Sequence, residues 1–325
     1  MSVQLRSPEE LLRIIDAAVQ MDELPAGPLY APVQYILNLP GKRSRPLLVA
    51  LAYQAYATQP VERVMPVALA VEYFHNFTLM HDDIMDQAPT RRGQPSVHIQ
   101  WDVNTAILSG DALFAESVVK LLAAPGNVAD LTRTFLQAAI EVCQGQMDDM
   151  LLEKRDADVT LAEYIEMIRR KTAVLLGASL RLGALAGGAS PEEAQRLDQI
   201  GQLAGIAFQL QDDELDTYAD PEKFGKQPGG DILQNKKTCL WIYTAESGGR
   251  DVQAQLAHWA DRNEDPAAKV QAVKALFAQA GAREYCQQLQ QDYFGRAFGL
   301  FDQLEGRSGL EPLLTYLGWM RNRQY

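Results

Sequence analysis

Two groups of acidic residues in this chain share one spacing. Asp82, Asp83 and Asp86 close a long apolar run, and Asp212, Asp213 and Asp216 follow another at residues 203–210. On a helix, residues four apart share a face and neighbours lie about 100° apart. Asp82 and Asp86 are therefore on one face, Asp212 and Asp216 on another, and Glu214 points elsewhere. Like charges stacked this way repel unless a cation sits among them. Oxygen-only donors favour hard cations, magnesium above all where phosphate oxygens complete the shell. Zinc would ask for His or Cys at ligand spacing, and the four histidines (His75, His81, His98, His258) do not supply it. One Asp-Asp pair alone is usually a solvated helix end. Two matched clusters, each ending an apolar helix, call for a metal clamp on a diphosphate.

An anion also needs cations. Lys42, Arg43 and Arg45 precede one apolar run, Arg91 and Arg92 follow the first acid cluster, and Lys171, Lys226, Lys236 and Lys237 come later. Arginine offers a two-pronged fork to phosphate oxygens, and lysine a mobile point charge. Each run alone would be ordinary solvated surface, so their weight comes from company with the acids. His75, Leu79, Asp82 and Asp86 are spaced by four, three and four, which puts the histidine on the acid stripe. His81 faces away from Asp82 and is expected to be structural.

Helices must position these groups. Apolar residues recur at helical intervals over 9–21, 45–57, 63–85, 106–122, 129–152, 161–185, 192–213, 237–246 and 267–304. Breakers separate them: Pro125-Gly126-Asn127, Gly187-Gly188, Pro228-Gly229-Gly230 and Ser247-Gly248-Gly249. Ser190-Pro191-Glu192-Glu193 has the form of an N-cap, a first-turn proline and two acids. No convincing strand, repeat or shift of composition is seen, so an all-α single domain over 1–325 is expected. Of 325 residues 47% are hydrophobic, enough for a sizeable core. The net charge of −12, from 30 basic and 42 acidic residues, argues against nucleic acid or an anionic membrane as partner. Stable membrane insertion is not expected, since the most apolar small-residue stretch, 172–188, is interrupted by Arg181. Three dispersed cysteines and no signal-like start point to a reducing, cytoplasmic setting.

Taken together, these motifs resemble the trans-isoprenyl diphosphate synthases, the polyprenyl synthetase family, and within it the geranylgeranyl and farnesyl diphosphate synthases. The resemblance rests on Gly41-Lys42-Arg43-Ser44-Arg45-Pro46, Glu72-Tyr73-Phe74-His75, the stretch from Leu79 to Asp86, Arg91-Arg92-Gly93, Gly110-Asp111, Gly145-Gln146, Lys171-Thr172, Phe208 to Asp213, Gly225-Lys226 and Lys236-Lys237-Thr238. It implies an antiparallel helical bundle around a central substrate cavity, a homodimer, and two substrates, isopentenyl diphosphate and an allylic diphosphate. By motif, Asp82, Asp83, Asp86 and Asp212, supported by Asp213 and Asp216, would hold Mg2+ against the allylic diphosphate. Arg91, Lys171, Thr172, Gln209, Lys226 and Lys236 would touch that diphosphate. Lys42, Arg45, His75 and Arg92 would grip isopentenyl diphosphate. The implied reaction breaks the allylic C–O bond, adds the isopentenyl double bond to the carbocation, and loses a proton, with released diphosphate as the family-level base.

Residues before Asp82 would limit the product tail. In family terms, Phe77 aromatic, Thr78 small and Phe74 a turn deeper form a combination that favours C20 geranylgeranyl diphosphate over C15 farnesyl diphosphate. The competing view makes both rings ordinary core. Two departures from the family pattern are Asn235, where glycine is common, and Glu214, where an apolar residue is common. A class I terpene cyclase would generally lack the isopentenyl-binding basic motif, and a non-catalytic prenyl synthase subunit would usually have lost one acid cluster. This sequence keeps both features. A metal phosphohydrolase would need further His and Asp ligands that are not recognisable.

Overall fold

The computed structural model describes residues 5–155, 158–219, 229–262, 264–304 and 308–323. Its helices are α1 (Pro8–Met21), α2 (Ala31–Asn38), α3 (Ser44–Tyr56), α4 (Met65–Met85), α5 (Val97–Gln100), α6 (Val103–Leu121), α7 (Val128–Glu153), α8 (Leu161–Ile168), α9 (Val174–Gly187), α10 (Pro191–Tyr218), α11 (Gly230–Leu233), α12 (Cys239–Ser247), α13 (Gly249–Ala260), α14 (Pro266–Ala280), α15 (Ala282–Phe301) and α16 (Glu311–Asn322). Among the described residues the strands are limited to a hairpin of β1 (Thr90–Arg91) and β2 (Gln94–Pro95). The fold is all-α, as the periodicity predicts, and no helix among the described residues is long and apolar enough to cross a membrane.

The helices begin where their capping residues dictate. In α1 the Ser7 hydroxyl accepts from the Glu10 amide while the Glu10 carboxylate accepts from the Ser7 amide. Thr160 and Glu163 repeat that reciprocal cap at α8, and Ser190 and Glu193 at α10, where the sequence predicts it.

Contacts group the chain into two compact units. One is drawn from Met1–Ala139, Ala178–Asp198 and Gly306–Tyr316, the other from Ile140–Gly177, Gln199–Glu305 and Leu317–Tyr325. In the first unit Leu69, Tyr73 and Met80 of α4 pack against Val33, Ile36 and Leu37 of α2 and Ala106 and Leu113 of α6. Tyr73, Ala106 and Leu113 are fully buried, so the helix that ends in the first acid cluster runs through a dry core. In the second unit Leu210 of α10 packs with Tyr164, Leu240, Trp241, Phe277 and Cys286. The three cysteines are free thiols.

Three differences from the expected helices have physical reasons. The run 267–304 is two helices, because Gly281 sits between α14 and α15 in the left-handed region, with φ 71°. There the Gly281 amide bonds the Ala278 carbonyl and closes α14. The run 161–185 is interrupted by a π-helical turn at Arg169–Ala173. Helices α2, α5, α11, α13 and α16 lie outside the predicted runs. Helix α13 does space Val252, Leu256 and Trp259 helically, but it buries only Leu256, so its apolar signal rests on three residues.

Because no side chain stands within 4 Å of where a Gly281 Cβ would point except the distal Glu284 carboxylate, the cost of substitution there is conformational. Gly281→Ala is expected to lower stability by about 1 kcal/mol without joining the helices. Thermal unfolding followed by circular dichroism checks the loss, and unchanged helicity at 25 °C checks the second point.

Candidate active site

In the first unit α4 delivers its acids at the C-terminal end, with Asp86 as the cap. Their environments differ sharply: Asp83 is 1% exposed, Asp82 half-buried and Asp86 exposed. Arg91 donates to the Asp83 Oδ1 through Nε at 2.9 Å and also through Nη2. The other Asp83 oxygen is buried without a partner. Burial pushes the Asp83 carboxyl up, and Arg91 opposes that shift.

The hairpin exists at the right place to supply Arg91. Arg92 and Gly93 form its two-residue loop, with φ 53° and 76°, the pair of positive angles that suits the right-handed twist of a tight hairpin. Arg92 then points to the Leu39 carbonyl, at 3.4 Å.

Before α3, the basic run turns through Arg43 in the left-handed conformation, φ 45°. Arg43 is buried and donates to Glu72 and to the Leu37 carbonyl, and Asn76 also donates to Glu72 at 2.9 Å. It is the run's structural anchor. Lys42 stays exposed, and Arg45 Nη1 lies 3.0 Å from His75 Nε2. A guanidinium can only donate, so His75 accepts through Nε2 and carries its proton on Nδ1. Burial first, then Arg45, Arg92, Arg91 and Arg43, hold the imidazole well below its ordinary value. Of these arginines Arg45 is in direct contact with the ring, while Arg91 is paired with Asp83 and Arg43 with Glu72.

Beneath it, the side chains singled out for product length join an aromatic cluster. Phe74 is 1% exposed and lies 5.6 Å from Phe77, 5.8 Å from Phe114 and 5.4 Å from Phe135 between ring centres. Phe77 stacks on Phe114 at 5.3 Å and touches His81 at 4.7 Å. Thr78 donates to the His75 carbonyl at 2.7 Å. Phe114 and Phe135 are not readable from spacing, because they lie on α6 and α7. His81 Nε2 lies 3.2 Å from the Ile107 carbonyl.

In the second unit, Asp212, Asp213 and Asp216 lie in the last two turns of α10. Asp213 is bound at both oxygens, by Tyr164 through its hydroxyl and by Gln209 at 2.8 Å. Thr172 donates to Gln209 at 3.0 Å. Thr172, Gln209, Asp213 and Tyr164 therefore form one chain of hydrogen bonds. Burial raises the Asp213 carboxyl to about 7 against those two hydrogen bonds, which pull it down. Asp216 accepts from the Asp231 amide at 2.8 Å. Asp231 itself is raised well above the usual range, by burial and then by Asp213 and Asp216, with Lys236 opposing. Asp212 pairs with Arg323.

Lys171 and Thr172 sit on the π turn, a distortion that redirects side chains and is often found at functional sites. Lys171 pairs with Asp149 of α7. A Cβ on Gly145 of α7 would come within 2.2 Å of the Lys171 amide nitrogen, so only glycine lets the two backbones meet. Asn235, the departure before Lys236, has φ 58°, a conformation asparagine tolerates, and donates to the Ala260 carbonyl at 3.1 Å. Glu214 is satisfied by Arg283, Gln287 and Gln290. Lys226 lies outside the described residues. Asp149, Tyr164, Asp231 and Arg323 are absent from the sequence-derived site, since their partners are distant along the chain.

His75 gives a pH test. The unfolded chain takes up a proton near 6.5 that the folded site refuses, so stability falls as pH drops below that value. His75→Gln is expected to flatten this part of the acid limb, read from urea unfolding between about pH 5 and 7. An unchanged limb would show that His75 does not resist protonation.

The family model described as Polyprenyl synthetase matches residues 27–277. A geranylgeranyl diphosphate synthase of Methanosarcina mazei is 36% identical over 301 residues, covering 91% of this chain and 90% of that protein. A heptaprenyl diphosphate synthase component 2 of Geobacillus stearothermophilus is 35% identical, over 94% of this chain and 92% of its own. A crystal structure of a geranylgeranyl pyrophosphate synthase superposes with a TM-score of 0.90 at 36% identity, covering 99% of this chain and 100% of that one. The chain belongs to the polyprenyl synthetase family and is a trans-prenyltransferase, an isoprenyl diphosphate synthase.

Proposed function

We propose that this enzyme condenses isopentenyl diphosphate head-to-tail with an allylic diphosphate (dimethylallyl, geranyl or farnesyl), with Mg2+ as cofactor, and that its main product is C20 geranylgeranyl diphosphate. The observation that carries the two-substrate reading is Arg45 against a neutral His75, with Arg92 acting on the same ring, beside the first acid cluster. One surplus of positive charge suits a diphosphate that needs no metal, while the acid clusters suit one that does.

The metal fit is one of donor chemistry. Among the described residues no three acids, histidines or cysteines already converge as a cage. Magnesium needs no such cage, since it keeps several waters and takes substrate phosphate oxygens alongside one or two carboxylates. The unpartnered buried oxygen of Asp83 is one donor awaiting a cation or water. Asp82, Asp83, Asp86 and Asp212, with Asp213 and Asp216, are the proposed holders. When bound, the metal supplies charge stabilisation to the departing diphosphate.

The remaining roles fall to the chain itself. Lys171, Thr172, Gln209, Lys236, Arg91 and, outside the described residues, Lys226 bind and orient the allylic diphosphate. The positive charge of the lysines and Arg91 favours the state in which the C–O bond has parted. Lys42, Arg45, His75 and Arg92 hold isopentenyl diphosphate so that its double bond faces the allylic carbon. A neutral His75 donates to that anion through Nδ1–H without accepting its proton. Apolar walls keep water from the carbocation. That both acid clusters serve one diphosphate rests on the family resemblance; the single domain rests on the uniform composition, and the cytoplasmic setting on the dispersed cysteines and the start of the chain.

The ring cluster supports a short product. Phe77 and Phe74, backed by Phe114 and Phe135, give the tail a wide aromatic stop one to two turns before Asp82. A homodimer is supported by the apolar surface that α5, α6 and the residues joining them expose, where Ile99, Val103, Leu108, Val119 and Leu122 are each about half exposed or more.

Purified protein with Mg2+, labelled isopentenyl diphosphate and each allylic diphosphate in turn is expected to yield elongated diphosphates ending at C20. Hydrocarbons or alcohols would make it a cyclase, and no turnover would leave a subunit that needs a partner, as the component naming of the Geobacillus relative allows. Phe77→Ala is expected to lengthen the main product by at least one isoprene unit; an unaltered distribution places the stop elsewhere. Sedimentation at micromolar concentration is expected to give twice the chain mass, and Leu108→Glu to shift it toward the monomer.

A further inference from the structure

Arg323, just beyond α16, is tied to α10 from four sides. Its Nε donates to the Gln211 side chain at 2.7 Å and its Nη2 to the Phe208 carbonyl at 3.1 Å. The guanidinium lies 3.7 Å over the Phe208 ring. Its remaining contact is the carboxylate of Asp212. In return Gln211 donates to the carbonyls of Arg321 and Arg323, at 3.3 and 3.1 Å. The Arg323 side chain is 3% exposed and that of Asp212 is 38% exposed. The cation is locked in place, and the carboxylate keeps an open side.

We infer that Arg323 is a positioning residue that tunes Asp212: it fixes one carboxylate oxygen and, by its charge, makes the second acid cluster a poor site for a bare divalent cation. This inference rests on the proposed role of Asp212 in metal binding. A guanidinium hydrogen-bonded to the same carboxylate sits within a few ångströms of any metal placed there. Even at an effective dielectric of about 20, like charges at such distances repel by much more than thermal energy. The three anchors other than Asp212 prevent Arg323 from swinging aside, so the repulsion persists. A diphosphate carries the negative charge that offsets it. The second cluster is therefore filled by metal arriving with the allylic diphosphate rather than by metal alone, so the order of loading is written into the segment that follows α16.

The experiment uses full-length protein and Mn2+ as a paramagnetic stand-in, with bound and free ion separated by electron paramagnetic resonance, without and with inorganic diphosphate. Without diphosphate, Arg323→Gln is expected to bind Mn2+ at least about tenfold more tightly than the unaltered protein. Arg323 and Gln211 line a polar cavity of about 630 Å3, so water can fill the space a shorter side chain leaves. Arg323→Lys keeps the charge and is expected to bind as weakly as the original, which a purely structural role would not produce. Gln211→Leu releases one anchor and is expected to tighten Mn2+ binding in the same direction by less. The gain of Arg323→Gln is expected to vanish when Asp212→Asn is added. Equal affinity of Arg323→Gln and the unaltered protein, equal tightening by Arg323→Lys, or a gain that survives Asp212→Asn overturns the inference alone. Failure of every form to bind Mn2+ even with diphosphate overturns the metal reading of Asp212, and the inference with it.

Discussion

Carboxylates one residue and one turn apart on an apolar helix repel each other and resist burial, and the chain gives most of them a fixed partner. Asp83 takes Arg91, Asp212 takes Arg323, Asp213 takes Tyr164 and Gln209, and Asp216 takes the Asp231 amide. These partners come from a hairpin, from the segment after α16, from α8 and from the start of α11. Much of the irregular structure serves to bring a donor to an acid. These contacts fix the orientation of each paired acid and offset the cost of burying it.

The same demand explains where the backbone departs from regular geometry. Among the described residues, the non-glycine positions with positive φ are Arg43, Gln87, Arg92 and Asn235. Each adjoins a residue of the proposed site: Arg43 follows Lys42, Gln87 follows Asp86, Arg92 follows Arg91, and Asn235 precedes Lys236. Such conformations cost of order 1–3 kcal/mol each and persist where surrounding contacts over-determine them. For Arg43 the contacts are visible, since Glu72 and the Leu37 carbonyl hold its side chain inside the protein. The π turn that carries Lys171 and Thr172 belongs to the same class, held against α7 where Gly145 omits a side chain.

What could be read from the sequence follows from how local each signal is. Asp82 with Asp86, and Asp212 with Asp216, are visible because helical spacing is a property of five consecutive residues. The cap at Ser190 is equally local, and the structure reproduces it. The π turn was not legible, because apolar helical runs flank its Arg169–Ala173 segment on both sides and a polar turn within a helix looks the same in α and π geometry. The split at Gly281 was obscured in the same way by apolar residues on both sides. The partners of the acids carry no local signature at all: Tyr164 is 49 residues from Asp213, and Arg323 is 111 from Asp212. The family resemblance supplied the roles of single cations, which spacing could not, but it did not mark Arg43 as an inward anchor.

Asp213 shows how far geometry refines a motif. Its two oxygens are both engaged, by Tyr164 and Gln209, and it is 5% exposed. A metal ligand in that position would first have to give up one of these bonds. Asp212, with an open side, has no such requirement. On the proposed reading the work is therefore divided: Asp212 faces the metal, while Asp213 braces Gln209, which in turn receives the Thr172 hydroxyl. The second acid of the motif then matters through the substrate-binding turn as much as through charge, which accounts for its burial against aromatic side chains rather than in water. A carboxylate that only had to bind cations would gain nothing from a dry site that pushes its proton affinity up to about 7. One that must hold Gln209 at a set distance gains rigidity from it.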